Sequence, residues 1–497
     1  MMGDPLSPAP AGVAFDSTAG RWVVAIAVLG SGLAFLDSTV VNVALPEIGR
    51  DLGASTGSLQ WILNGYLLSL ASLILLGGSL GDRYGRRRIF VLGAGLFTAA
   101  SLLCAVAPTV ELLVAARFLQ GIAGAMLTPG SLAMIESSFR SEDRARAIGA
   151  WSGLGGVATA LGPLLGGYLV DAVSWRAIFL INLPIGVFVV TMAGRHVPET
   201  RDPTTAGHLD VRGAALAALG LAGTTWALIE GPGAALSPVI VLAAVGGVAA
   251  LVGFLVVERN SPNPMMPLDI FASRQFSAAN LVTFVVYGAL SGFFFLLVAF
   301  LQISLGYSPI AAGAASMPVT GLMLALSARS GALAQRIGPR IPLTAGPIVI
   351  AVGMLLMTRI DPGDAYVTTV LPGVLVFGLG LVLVVAPVTS TVLAAADARH
   401  AGVASGINNA VSRVAGLLAV AVLPAVAGLT GGRFYEPAAM AEGFRTAMVV
   451  CAVLAAAGGV LAWLTIQSDV LQPTPADTQF SCGVAGTPLR PASESRA

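Results

Sequence analysis

Long apolar blocks alternate with short polar segments along the whole chain. Blocks of about 18 residues or more are long enough to cross a hydrocarbon core of about 30 Å as α-helices. Clusters of proline, glycine and charged residues divide the chain into fourteen such spans. They are predicted at 22–45, 57–79, 89–107, 111–135, 148–170, 177–194, 213–230, 238–257, 276–301, 310–328, 341–358, 367–392, 402–428 and 444–466. The pattern therefore predicts an all-α polytopic membrane protein.

Composition and charge support a membrane protein and predict its orientation. Hydrophobic residues make up 56% of the 497 residues and charged residues 10%, whereas about a quarter of a soluble domain is charged. With a cytoplasmic N-terminus, most loop arginines fall on the cytoplasmic side, and the outer loops hold Arg50, Arg176, Arg359, Arg433 and Arg445. This bias predicts cytoplasmic tails at 1–20 and 467–497, the second of them polar, rich in proline and serine, and disordered.

The sequence offers little for catalysis or cofactor binding. Cys104, Cys451 and Cys482 fall in two spans and a tail, and they match no metal-ligand spacing. The chain contains no lysine, so it has no Walker motif through which ATP would drive it directly. The net charge of +1, without a basic surface carrying aromatic residues, argues against nucleic acid as a partner. We expect no catalytic residues, no metal and no cofactor, and the sequence identifies no partner protein.

An internal repeat organises the chain. The pattern GxLxxRxGxR begins at Gly78 and again at Gly331, and the pattern ARxxGxxSG begins at Ala145 and again at Ala398, with the same displacement of 253 positions. The repeat predicts a six-helix bundle at 21–195, a linker with two inserted helices at 196–275, and a second six-helix bundle at 276–466 in the same orientation. Parallel halves around a central site are typical of transporters.

Further motifs carry a resemblance to a known family. They are LDSTVVNVALP at 36–46, QWILNGY at 60–66, RFLQGIAGA at 117–125, GPLLGG at 162–167 and SGINNAVSRVAG at 405–416. Together with the loop motif at 78–88, they resemble the fourteen-span drug:proton antiporters of the major facilitator superfamily. The resemblance implies the major facilitator fold, with two parallel six-helix bundles and two inserted helices.

It also implies a function in the bacterial cytoplasmic membrane. A protein of this kind is expected to export amphipathic drugs, antibiotics or hydrophobic natural products in exchange for protons, by alternating access. The alternatives are an exporter of one metabolite or lipid and, less favoured, a membrane enzyme or sensor. An enzyme would cluster histidines, cysteines or carboxylates at one membrane face, and a sensor would usually carry a folded soluble domain.

A carboxylate and an arginine within the first six spans are the candidate proton site. Asp37 is the only carboxylate well inside these spans, and a charge in a bilayer interior is a functional-site hypothesis by default. Asp37 lies about 12 Å and Arg117 about 9 Å from the predicted outer ends of their spans. The resemblance implies that spans one and four both border the central cavity, and with their similar depths this predicts an Asp37–Arg117 pair or a water-bridged relay for protons. The alternative is a static polar tie.

The charged loop between the second and third spans has two interpretations. It is either a topological signal with a tight turn at Gly85 or, as the resemblance implies, a conformational latch between the two halves on the inner side. In the latch, Asp82 would approach the amino end of the thirteenth span near Gly402. The second copy has Gln335 in place of Asp82, an asymmetry that favours the latch. The candidate latch residues are Asp82, Arg83, Gly85 and Arg87, with Arg336 and Arg340 in the second copy.

Two further sets of residues are predicted from the spans. Gly162, Pro163, Gly166 and Gly167 form a small-residue face that serves either ordinary packing or a sealed hinge against the tenth span. Polar side chains within spans either line a substrate cavity or bond to neighbouring helices. They are Asn42, Asn64, Tyr66, Gln120, Asn408, Asn409 and Arg413.

Overall fold

A computed structural model describes residues 12–201, 209–233, 237–396 and 401–471. Parts of both predicted tails, at 1–11 and 472–497, lie outside the described residues, and so does the start of the second ARxxGxxSG copy at 397–400. Within the described residues, fourteen helices are long and apolar enough to cross a membrane, which confirms the predicted all-α fold with fourteen spans.

The helices are numbered here in chain order. They are α1 (Thr18–Leu52), α2 (Thr56–Tyr84), α3 (Arg86–Val106), α4 (Val110–Ser138), α5 (Ser141–Ala172), α6 (Ala177–Leu180 and Asn182–His196), α7 (Val211–Glu230), α8 (Pro238–Asn260), α9 (Arg274–Ile303), α10 (Pro309–Ala315 and Met317–Ile337), α11 (Arg340–Met357), α12 (Val370–Ala394), α13 (Ala401–Val426) and α14 (Pro437–Thr465). Short 3-10 turns lie at Gly231–Gly233, Leu268–Ala272 and Gly431–Tyr435.

Several helices differ from their predicted bounds. Helix α1 starts at the Ser17 N-cap and continues to Leu52, seven residues past the predicted end at Leu45, because Pro46 is accommodated inside the helix. Helices α6 and α10 are each interrupted by one residue. In α10 the break at Ser316 comes just before Pro318, which has no N–H to donate to the preceding turn.

The two halves pack their helices in the same way. In the first half, α1–α6, helix α1 packs on α5, α2 on α4, and α3 on α4 and α6. In the second half, α9–α14, the corresponding contacts are α9 with α13, α10 with α12, and α11 with α12 and α14. Gly85 and Gly338 occupy equivalent positions of the loop repeat and both have positive φ, 112° and 81°. The packing thus follows the repeat seen in the sequence.

The inserted helices lie outside the two halves. Helix α7 packs on α2 and on α13, where the halves meet, and Leu221 belongs to an apolar cluster there with Leu68 and Leu417. Helix α8 packs mainly on α7 and leaves most of its surface exposed. The inserted pair therefore covers one seam between the halves.

The two ends of the helix bundle differ in the number of arginines in their loops. The arginine-rich face is the end at which α1 begins and at which the Asp82–Arg88 loop lies, and the opposite face is the end at which α1 finishes. Helices α2 and α13, α5 and α10, and α1 and α9 form contacts between the halves. Many of these contacts lie towards the opposite face, as the hydrogen bonds described below show.

Candidate functional site

A buried ion pair lies at the centre of the first half. Asp37, near the middle of α1, accepts a hydrogen bond through Oδ2 from Nη1 of Arg117 on α4. Each residue is only 1% exposed. An isolated charge in such a place is very costly, so each residue supplies the counter-charge that the other requires. The structure thus brings together the carboxylate and the arginine that the sequence singled out.

Polar side chains from α3, α4 and α6 complete the cluster. Gln120 donates through Nε2 to Asp37 Oδ1 at 2.8 Å and to Ser101 Oγ at 2.9 Å. Asn182 donates through Nδ2 to the same two atoms at 3.4 Å and 3.2 Å. Ser101, Gln120 and Asn182 are completely buried. Both carboxylate oxygens of Asp37 therefore accept hydrogen bonds from N–H donors.

Arg117 has partners besides Asp37. Its Nε donates to the carbonyl of Ile62 at 3.0 Å, and its Nη1 also donates to Gln120 Oε1 at 2.6 Å. Its guanidinium lies 4.5 Å from the centre of the Tyr66 ring. Because these contacts do not involve the carboxylate, Arg117 keeps acceptors and an aromatic face when Asp37 is neutral.

A separate cavity of about 290 Å³ lies between the halves. Helix α13 contributes a stripe at helical spacing, formed by Ser405, Asn408, Asn409, Ser412, Arg413 and Gly416. Phe35 and Ser38 of α1 and Thr159 of α5 border the cavity from the first half. The lining reaches Leu393 at the end of α12, so the cavity extends towards the arginine-rich face.

Only some of the predicted cavity residues line this cavity. Asn408, Asn409 and Arg413 do. Gln120 and Tyr66 belong to the ion-pair cluster instead, because α4 turns Gln120 towards Asp37 and the Tyr66 hydroxyl donates to the Ala34 carbonyl at 3.3 Å.

Two predicted cavity asparagines are also placed elsewhere. Asn42 donates to the Ser38 carbonyl of its own helix at 3.4 Å, so its amide N–H has a partner within α1. Asn64 is buried, and neither of its side-chain polar atoms has a hydrogen-bond partner within the described part of the chain.

The predicted latch residues lie at the arginine-rich face, in contacts within each half. Asp82 accepts from Arg86 Nε at 2.8 Å. Arg87 pairs with Glu199, whose Oε1 also accepts from the Arg87 backbone N–H at 3.1 Å. A β-carbon at Gly85 would lie 2.6 Å from that same oxygen, so both the positive φ and the close carboxylate require glycine. The guanidinium of Arg83 lies 5.6 Å from the Tyr84 ring centre.

The second loop copy is built similarly but without the acidic residues. Arg340 donates through Nε to the Trp463 carbonyl at 2.8 Å and its guanidinium lies 4.1 Å from the Trp463 ring centre, while Arg336 is exposed. At the start of α13, a β-carbon at Gly402 would meet no atom within 4 Å. The approach of Asp82 to this helix end is therefore still a prediction about another conformation.

Helix α5 uses its glycines on two sides. A β-carbon at Gly162 would lie 3.0 Å from Thr39 Cβ of α1, and one at Gly166 would lie 3.0 Å from Val40 Cγ1. On the other side, a β-carbon at Gly167 would lie 2.7 Å from the Ile310 Cα of α10. Helix α10 approaches α5 equally closely through its own glycine, since a β-carbon at Gly313 would lie 2.7 Å from the Pro163 carbonyl carbon. Helices α5 and α10 thus touch through backbone near the opposite face.

Hydrogen bonds join the two halves at the opposite face. Gln60 donates to the carbonyls of Val420 and Ala421 at 2.7 and 2.9 Å, and Gln302 donates to the Val43 carbonyl at 2.8 Å. Two further bonds of 2.8 Å run from Thr56 to the Gly431 carbonyl and from Tyr435 to the Ala54 carbonyl. These contacts, with the α5–α10 approach, are called the seal below.

Some residues of the site were not predicted from the sequence. They are Ser101 and Asn182 in the ion-pair cluster and Glu199, which follows α6 and accepts a hydrogen bond from the Arg87 backbone at the start of α3. The signal for Asn182 was a lone amide in an otherwise apolar span, and the signal for Glu199 was its position in a polar loop. Neither signal specifies a partner, because the helices that bring the partners together are far apart in the sequence.

Comparisons with known proteins agree with this architecture. A family model described as the Major Facilitator Superfamily matches residues 27–420. The chain is 37% identical over 430 residues to the probable actinorhodin transporter of Streptomyces coelicolor, covering 84% of this chain and 74% of that protein. It is 34% identical over 485 residues to the puromycin resistance protein pur8 of Streptomyces alboniger, covering 95% of each.

A solved structure shares the fold. It is a bacterial homolog of the human lysosomal transporter Spinster in an inward-facing and unoccupied conformation. The TM-score is 0.63 at 18% identity, over 93% of this chain and 100% of that chain.

Proposed function

Because the chain belongs to the Major Facilitator Superfamily, we propose that it is a proton-coupled antiporter. It exports amphipathic drugs, antibiotics or hydrophobic natural products across the bacterial cytoplasmic membrane by alternating access. The relatives named above are a transporter and a resistance protein for antibiotics, which supports this class of substrate. The bias of loop arginines supports a cytoplasmic location for the arginine-rich face and for both termini.

The observation that carries the proposal is that α1, which holds the buried Asp37 of the Asp37–Arg117 pair, also borders the cavity. Asp37 belongs to the buried cluster, and its neighbour Ser38 lines the cavity. A movement of α1 relative to α4 therefore changes the hydrogen bonds of the carboxylate and the shape of the cavity together. Exchange requires such an element, because the proton and the substrate must bias the same conformational equilibrium.

The hydrogen bonds to Asp37 support a conformation in which this carboxylate has already released its proton. A proton added to Asp37 would neutralise the charge that offsets the buried Arg117. We infer that Asp37 takes up a proton when the opposite face is open and loses contact with Arg117. When the seal closes, the ion pair forms again and expels the proton towards the cytoplasm.

The latch and the hinge complete the cycle. As the arginine-rich face closes, Asp82 leaves Arg86 and approaches the amino end of α13, where the helix dipole favours a carboxylate. At the opposite face, α5 and α10 separate along their glycine contact. Each exposed ion pair contributes only about 0.2–1 kcal/mol, which is enough to bias two conformations that differ by a few kcal/mol.

Transport in proteoliposomes tests the proposal. The full-length protein is reconstituted, a pH gradient is imposed, and the accumulation of an acidic, a neutral and a cationic amphipathic dye is followed. We expect at least one dye to be concentrated against its gradient, and we expect Asp37→Asn to abolish this accumulation while downhill exchange continues. Asp361→Asn removes a carboxylate from the exposed pair with Arg445 and serves as the control, which should transport normally.

Removal of the Asp37 charge leaves Arg117 buried without its counter-ion, so folding must be measured as well. The double variant Asp37→Asn, Arg117→Gln removes both charges and separates a fault in stability from a fault in coupling. Gradient-driven accumulation by a folded double variant at the parent rate would show that the proton carrier lies elsewhere.

A further inference from the structure

Arg413 brings a positive charge to the wall of the cavity. It lies in the stripe of α13, three to five residues from Asn408, Asn409 and Gly416, which also line the cavity. Among the described residues that line the cavity, Arg413 is the only charged one. The cavity wall is therefore polar and positive on the α13 side.

The part of the chain that the structure describes provides no counter-charge for Arg413. None of the ion pairs among the described residues includes Arg413, and none of the hydrogen bonds found there uses its guanidinium. Asp37, the carboxylate of the buried cluster, is already paired with Arg117. An arginine inside a membrane protein is costly unless it pairs with an acceptor or serves a water-filled pathway.

The hydrogen bonds of the neighbouring side chains on α13 do not involve Arg413. Asn408 donates through Nδ2 to Asn280 and Thr283, while Asn409 donates to the Ser405 carbonyl of its own helix. Ser412 donates to the Asn409 carbonyl. Since none of these bonds uses the guanidinium, its five N–H donors are available to a molecule bound in the cavity.

The rest of the cavity suits an aromatic body. Phe35 and Tyr287 supply ring surfaces, and the volume of about 290 Å³ is close to the lower limit for sites of drug-sized ligands. Arginine binds a planar carboxylate through two parallel N–H bonds, which also fixes the orientation of the group. A ring with an acidic oxygen at its edge would satisfy both parts of the cavity at once.

We propose that the substrate is an amphipathic organic anion, whose carboxylate or acidic phenolate binds Arg413 while its aromatic body lies between Phe35 and Tyr287. This inference rests on the proposed function for the role of the cavity, but it concerns the charge of the ligand. Arg413 is then the residue that determines charge specificity, and a cationic amphipath is repelled from the same site.

A matched set of probes tests the proposal on the purified full-length protein. The probes are 9-anthracenecarboxylic acid, its methyl ester and 9-(aminomethyl)anthracene, which share one ring system and differ in charge. The Trp151 ring centre lies 6.3 Å from that of Phe35, and the chain has six tryptophans, so the part of the energy transfer to anthracene that Trp151→Phe removes reports occupation of the cavity. We expect the acid to bind at least about tenfold more tightly than the ester or the amine, as befits a charge-assisted hydrogen bond.

Substitution of Arg413 provides the decisive comparison. Arg413→Gln should remove the preference for the acid and leave the affinity for the ester within about twofold of the parent. Arg413→Lys should retain part of the preference, because it keeps the charge but loses the planar fork. Arg329→Gln, at an exposed arginine of α10, should change nothing. Equal loss of affinity for all three probes, or tighter binding of the amine by the parent, would overturn the proposal.

The outcomes also separate this inference from the proposed function. If the acid binds through Arg413 but a pH gradient does not concentrate it, proton exchange fails and the anion site stands. If the amine is concentrated in an Asp37-dependent way and Arg413→Gln has no effect, the antiporter stands and the anion site fails.

Discussion

The glycine contact between α5 and α10 predicts how a single methyl group shifts the transport cycle. A β-carbon at Gly167 would lie 2.7 Å from the Ile310 Cα, whereas ordinary contacts are 3.4–4 Å. The two helices must therefore separate by about 1 Å to accept alanine, and overpacking of this kind costs about 1–3 kcal/mol. The cost applies only while the seal is closed.

The shift in population follows from this cost. A penalty of about 1–3 kcal/mol on one of two states moves their equilibrium about 5–150-fold towards the other, here the state open at the opposite face. Alanine also favours helix over glycine by up to about 1 kcal/mol, which would change stability for a different reason. Gly153→Ala is the matched control, because it adds the same methyl to the same helix where no atom lies within 4 Å.

Cysteine labelling measures the shift. The native residues Cys104, Cys451 and Cys482 are replaced by alanine, and a single cysteine is placed either at Ala421, buried in the seal, or at Ser405 in the cavity. With a membrane-impermeant maleimide on the opposite face, Gly167→Ala should raise the labelling rate at position 421 about 5–150-fold over the control.

The two reporters distinguish a change of state from unfolding. With a charged maleimide on the arginine-rich face, labelling at position 405 should fall as labelling at 421 rises, whereas unfolding would raise both. Gly313→Ala, on the other side of the same contact, should act in the same direction because its β-carbon would meet the Pro163 carbonyl carbon at 2.7 Å. Labelling rates for Gly167→Ala within twofold of those for Gly153→Ala would refute the prediction that the added methyl group opens the seal.

Three further predictions concern the ion pair, the latch and the seal. Arg117→Lys should retain partial pH-dependent exchange per folded molecule and Arg117→Ala should weaken it, whereas a static tie would lower only yield and melting temperature. Asp82→Ala should increase the population open at the arginine-rich face and reduce turnover, and unchanged labelling at both faces would leave only the topological role. Tyr435→Phe should weaken the seal by about 1 kcal/mol, seen as about fivefold faster labelling at position 421. Burial raises the pKa of Tyr435 to about 12, so its hydroxyl stays a donor below about pH 10 and the mutant's labelling increase should be constant between pH 6 and 9.

Much of the fold followed from physical regularities of the sequence. Fourteen apolar blocks were sufficient to predict fourteen spans, because each block must cross the same hydrocarbon thickness. The bounds were less accurate: α1 extends to Leu52, because a helix does not have to end where its hydrophobicity does. The predicted domain limits at residues 195, 275 and 466 remain predictions.

The ion pair was predictable for a different reason. A carboxylate and an arginine inside apolar spans each need a counter-charge, and few candidates were present. Gln120 and Tyr66 were assigned to the cavity because a polar residue in a span indicates that it needs a partner, but not which helix face it occupies. The stripe of α13 was clearer, since Asn408, Asn409 and Arg413 repeat at helical spacing.

The seal has a consequence for how proteins of this kind diverge. Gln60, Gln302, Thr56 and Tyr435 all donate to backbone carbonyls of the other half, and the α5–α10 contact is also made by main chain. An acceptor that every amino acid carries does not require a matching side chain, so substitutions at the accepting positions need no compensating change in the donor, whereas Gly167 and Gly313 must be kept. Apart from these two glycines, the accepting positions of each half can change independently, and a chimera that joins α1–α6 of this chain to α9–α14 of a relative with glycine at the position of Gly313 should still close.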